Sequence, residues 1–92
     1  MPILTPTEIT HALSTLNGWK VKDGAITRQF TFVDFGEAMS FVNAVAALAE
    51  RAGHHPDIDI RYNKVDLAIS SHDEGGITEK DLDLATAIAG IL

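Results

Sequence analysis

Three histidines, His54, His55 and His72, are the residues of this chain best suited to moving protons. An imidazole titrates at about pH 6.5, so one ring can donate while another accepts near neutrality. His54 and His55 are adjacent and precede Pro56, which restricts His55 to an extended backbone. Neighbouring side chains in an extended segment diverge, so the pair can serve different parts of one ligand. Two carboxylates stand at supporting distances. Glu50 lies four residues before His54, one helical turn if the helix continues, and Asp81 follows His72 by nine. Each also has a simpler reading, Glu50 as a solvated residue at a helix end and Asp81 as part of a helix cap. Three imidazoles and a water would equally suit zinc. Residue types alone leave acid–base and metal chemistry both open.

Composition narrows the classes. There is no cysteine, which excludes a thiol nucleophile, a zinc–thiolate site and a disulfide framework. Seven basic residues against thirteen acidic give a formal charge of −6, which argues against binding nucleic acid or an anionic membrane surface. No apolar run reaches the length of a bilayer span, and Met1–Pro6 lacks the basic and apolar segments of a signal peptide. A cytoplasmic protein is expected. The run Asp73-Glu74-Gly75-Gly76 lacks the context of a phosphate loop.

The elements that must position these groups can be read from capping and periodicity. Thr5, Pro6 and Glu8 start a first helix, Leu4 and Ile9 bracket it, and Ile9, Ala12, Leu13 and Leu16 form its apolar stripe up to Gly18. Asp34 and Glu37 start a second, alanine-rich helix that runs to about Arg51. Thr78 and Asp81 start a third, bracketed by Ile77 and Leu82. Between helices the apolar period falls to two. Trp19 and Val21 lead to an Asp23-Gly24 hairpin turn, and Ile26, Arg28, Phe30 and Phe32 share a face of the return strand. Ile58, Ile60 and Tyr62 alternate with polar residues, a turn falls near Asn63-Lys64, and Val65, Leu67 and Ile69 alternate in the last strand. Counting onward by twos reaches Ser71, so His72 faces the other way.

The predicted order is α-β-β-α-β-β-α: an α+β fold with a four-stranded antiparallel sheet and helices packed on one face. Residues 1–92 are expected to form one domain. So short a chain buries only about 60–65% of its unfolded surface, and self-association is one remedy for a thin core.

The spacing Glu50-x3-His54-His55-Pro56-x5-Tyr62-x9-His72-x8-Asp81 resembles the signature of the pterin-4a-carbinolamine dehydratases. Gly18-Trp19, Phe30-x-Phe32 before Asp34-Phe35, Tyr62-Asn63-Lys64-Val65 and Thr78-Glu79-Lys80-Asp81 extend the likeness over nearly the whole chain. It departs at Gly53, where members often carry an acidic residue, and at Ile58 and Ile60. The resemblance implies removal of water from a 4a-hydroxytetrahydropterin left by an aromatic amino-acid hydroxylase, with neither metal nor organic cofactor. It implies His54 and His72 as the acid–base pair, His55 and Pro56 at the pterin, Trp19 packed near its ring, and Glu50 and Asp81 supporting the histidines. It also implies a homodimer or homotetramer. Animal members serve in addition as dimerisation cofactors for a helical transcription-factor partner, which supplies the non-enzymatic alternative.

Overall fold

The computed structural model describes residues 2–92. Seven elements follow in the predicted order: α1 (Pro6–Leu13), β1 (Lys20–Lys22), β2 (Ala25–Thr31), α2 (Phe35–Ala52), β3 (Asp57–Arg61), β4 (Lys64–Ile69) and α3 (Glu79–Ala89). The strands form one antiparallel sheet in the spatial order β1-β2-β4-β3.

Local chemistry accounts for most boundaries. At α1 the Thr5 hydroxyl accepts from the Glu8 N–H, and the Glu8 carboxylate accepts from the Thr5 N–H at 2.8 Å. This helix stops at Leu13, short of Gly18, because the hydroxyls of Ser14 and Thr15 donate to the carbonyls of His11 and Ala12. Those acceptors are thereby satisfied without another helical turn. Leu16 still packs on the core. Asp34 caps α2 by accepting from the Glu37 N–H at 2.8 Å, and Gly53, at φ +63°, ends it in a left-handed turn.

The first hairpin turns at Asp23 and Gly24, both left-handed at φ +51° and +76°. The second turns one residue earlier than predicted. Tyr62 takes the left-handed conformation, φ +51°, and Lys64 already opens β4. Asn63 ties this tip to the end of β2, donating its side-chain amide to the Phe32 carbonyl at 2.9 Å.

Alternate residues of β2 and β4, Ile26, Phe30, Val65, Leu67 and Ile69, are buried against α2 and α3. Phe30, Phe32 and Phe41 stack at ring-centroid separations of 4.6 and 5.0 Å where α2 crosses the sheet. The intervening residues, among them Thr27, Gln29 and Asp66, face the uncovered side. Among the described residues no helix is long and apolar enough to cross a membrane.

Candidate active site

The register of the second hairpin positions the histidines. Asp57 pairs with Ala68, so the segment entering β3, His54-His55-Pro56, runs beside the segment leaving β4, Ser70-Ser71-His72. A bridge between Ser71 and Gly76 folds the next loop back and sets the start of α3 against the same end. The amide of Leu4 donates to the Ile77 carbonyl at 2.8 Å, and a Cβ at Gly76 would stand 2.9 Å from the Ile3 side chain, which would have to shift. Three elements therefore meet at one corner.

His54 is mostly buried there, its Nε2 lying 2.5 Å from Oδ1 of Asp81. Asp81 is wholly buried. Its other oxygen, Oδ2, accepts from the Thr78 N–H at 2.8 Å and from the Ser71 hydroxyl at 3.1 Å. With the His54 contact these make three hydrogen bonds, which offset the cost of burying the carboxyl group. Facing a carboxylate, which only accepts, Nε2 of His54 would carry the proton of this bond, and Nδ1 is the ring nitrogen outside it.

His55 has a parallel but wetter arrangement. Its Nε2 lies 2.5 Å from Oε2 of Glu50, with both side chains mainly in solvent. The backbone explains the exchange of partners. Gly53 breaks α2, so His54 no longer follows the helix surface and Glu50 meets the ring five residues on. His72 is exposed and close to the Ser70 hydroxyl, 3.2 Å from its Nε2. No carboxylate braces it among the contacts of the described residues, and no three His, Asp or Glu side chains there converge into a set that could hold a metal.

Pro56 is half-buried and joins the histidine pair to β3. Trp19 is placed differently. It is 6% exposed, edge-to-face with Phe30 at 6.1 Å, and its indole N–H has no hydrogen-bond partner among the described residues. It leads into β1 at the sheet edge opposite β3, three strand spacings or about 14 Å away. The structure sets His54 against Asp81 and His55 against Glu50 at the open end of the second hairpin, with Pro56 leading into β3 and His72 just beyond β4, and leaves Trp19 in the core.

Sequence reasoning did not select Ser71 or the hydroxyl of Thr78 for the site. The signal was present. Ser71 continues the inward face of β4 after Ile69, where a polar residue must find a buried partner.

Two concavities adjoin these elements. The larger, about 580 Å³, lies over the uncovered sheet face and contains none of the histidines. The smaller, about 320 Å³, lies between α2 and α3, where His54, Arg51, Lys80 and Asp83 surround Leu48 and Leu84. Chemistry rather than size marks the corner holding His54 as the candidate site.

The chain belongs to the pterin 4 alpha carbinolamine dehydratase family, whose model matches residues 2–91. It is 55% identical over 92 residues to a protein of Acidobacterium capsulatum, covering 100% of each chain. It is 51% identical over 92 residues to one of Chloroflexus aurantiacus, covering 100% of this chain and 99% of the other. Both relatives are provisionally named pterin-4-alpha-carbinolamine dehydratase. Among solved structures, a transcriptional coactivator/pterin dehydratase from Brucella melitensis superposes with a TM-score of 0.93 at 40% identity, covering 98% of each chain. A pterin dehydratase-like RuBisCO assembly factor of the alpha-carboxysome shares the fold alone, with a TM-score of 0.64 at 23% identity over 79% of this chain and 84% of that one.

Proposed function

We propose that this protein is a dehydratase that eliminates water from a 4a-hydroxytetrahydropterin by histidine acid–base catalysis. The observation that carries the reading is the His54–Asp81 pair, a mostly buried ring hydrogen-bonded to a wholly buried carboxyl group that two further donors hold. The reaction breaks the C4a–O bond and the N–H bond of the adjacent ring nitrogen. One proton leaves with the hydroxyl as water, another is taken from nitrogen, and a quinonoid dihydropterin remains.

His54 presents Nδ1 to substrate while Asp81 balances the charge that appears when that nitrogen takes a proton. His72 supplies the second proton-transfer group, and His55, oriented by Glu50 and Pro56, binds the pterin. Each proton transfer contributes on the order of 10²–10⁴-fold. The chemistry calls on neither metal nor organic cofactor. The reading includes a single domain acting in the cytoplasm as a homodimer or homotetramer, downstream of an aromatic amino-acid hydroxylase that makes its substrate and in service of tetrahydropterin recycling.

The test is a coupled assay in which a hydroxylase generates the 4a-hydroxytetrahydropterin and its loss is followed by absorbance. Acceleration that disappears in His54→Ala and His72→Ala supports the reading. No acceleration by folded protein moves the assignment to an accessory role that binds a helical partner.

A further inference from the structure

We infer that Ser71 is a positioning residue for His54, acting through Asp81; this rests on the dehydratase reading for its kinetic consequence but not for its geometry. Ser71 is 1% exposed and touches two polar groups, Oγ1 of Thr78 at 2.8 Å and Oδ2 of Asp81 at 3.1 Å. Thr78 is likewise buried, and its hydroxyl accepts from the Lys80 N–H.

Only one arrangement of hydroxyl protons satisfies this set. Ser71 donates to Asp81 Oδ2 and must in turn accept from Thr78. If Ser71 instead donated to Thr78, the Thr78 proton would have no acceptor among these contacts and the carboxylate would lose a bond. The chain therefore runs from the Thr78 hydroxyl to Ser71 to Asp81 Oδ2. That bond and the Thr78 N–H hold Oδ2 from two directions, which fixes the carboxylate plane and aims Oδ1 at His54 Nε2. Without Ser71 the carboxyl group retains a single backbone anchor and can rotate, and the His54 ring loses its defined tautomer.

The test uses the intact chain in three variants, Ser71→Ala, Ser71→Cys and Ser71→Thr. Ser71→Cys preserves packing while offering only a weak donor, which keeps the question answerable where Ser71→Ala does not fold. Two readouts are taken: kcat and KM in the coupled assay, and the His54 ring nitrogens by ¹⁵N NMR. The expected result is a kcat lower by about 10–100-fold with KM within about twofold for Ala and Cys. The Nε2–H tautomer expected in the parent chain would be mixed in both, and Ser71→Thr would restore kcat and tautomer together. Unchanged kcat and an unchanged single tautomer in folded Ala or Cys variants overturn the inference. Should the parent chain show no dehydratase activity, the function proposed above fails, and the tautomer alone decides whether Ser71 positions the ring.

Discussion

Oδ1 of Asp81 stands 2.5 Å from Nε2 of His54, while the same carboxylate closes the capping box of α3 through the Thr78 N–H. One side chain thus joins the stability of a helix start to the orientation of a candidate catalytic ring. Asp81→Asn separates the two roles. An amide oxygen can still accept at the cap, but an amide N–H facing Nε2 forces the opposite tautomer and removes the balancing charge. The expected outcome is a fall in kcat of at least about 10²-fold, since tautomer reversal in a triad is worth more than an ordinary supporting contact. Stability should fall by about 1–3 kcal/mol, the cost of disturbing a buried hydrogen-bonded charge. Steady-state kinetics and urea unfolding measure both, and wild-type kcat in a folded variant would remove Asp81 from the mechanism.

Glu50 offers the contrast. Its pair with His55 has side chains 77% and 62% exposed. An ion pair in that setting contributes roughly 0–1 kcal/mol and is screened by salt. Glu50→Ala should lower the thermal midpoint by no more than about 4–8 °C and affect KM more than kcat, because the ring it orients is assigned to binding. A large loss of kcat with unchanged KM would place Glu50 with Asp81 instead.

The elements were legible because their signals are local. Asp34 and Thr78 mark helix starts through their own side chains, and the period-two runs of β2 and β4 name the buried face directly. Two boundaries misled for the same kind of reason. Ser14 and Thr15 compete with the backbone at the end of α1, and Tyr62, an ordinary strand residue by type, is forced left-handed by the tight hairpin. The site was legible only in outline. Spacing along the chain suggested that Glu50 serves His54, yet the turn at Gly53 hands Glu50 to His55 and brings Asp81 from 27 positions away to His54. Which acid meets which ring is a tertiary fact, and so is the burial of Trp19 on the far edge of the sheet.

Gly53 deserves a substitution of its own. At φ +63° it takes a conformation that an L side chain adopts only at a steric penalty, and no atom lies within 4 Å of a Cβ built there. The penalty of Gly53→Ala is therefore conformational alone, about 1–2 kcal/mol, and Gly53→Asn should lose less because Asn tolerates this region better. Thermal unfolding of both variants ranks them. Equal stability of Gly53→Ala and the parent chain would show that the turn can relax without the left-handed residue.

At the other end of the chain, Glu8 makes stability depend on pH. The bond it accepts from the Thr5 backbone N–H, with the Thr5 side chain second, holds its carboxyl below the usual carboxylate range. A group whose folded value is depressed contributes stability above its unfolded value of about 4.3, and the contribution is lost as pH falls through the folded value. The thermal midpoint of Glu8→Gln should therefore lie below that of the parent chain at pH 7 and converge with it as the pH is lowered toward 3. A gap that persists or widens in acid would assign the effect to packing of α1 rather than to the charged capping box.

The two proposed acid–base histidines should separate by stability even though both reduce turnover. His72 is exposed, and among the described residues its ring makes its hydrogen-bond contact with the Ser70 hydroxyl, so His72→Ala should change stability by no more than about 0.5 kcal/mol. Removing His54 instead leaves one oxygen of a wholly buried carboxylate without its partner, which is worth about 1–3 kcal/mol. Activity should fall by about 10²–10⁴-fold in each case. The double variant should lose less than the product of the two single losses, because two groups that act in one elimination are not independent. Urea unfolding beside kcat for the two single variants and the double one measures all of this. A His72→Ala variant that keeps full turnover would leave His54 as the only proton-transfer group and require solvent to supply the second proton.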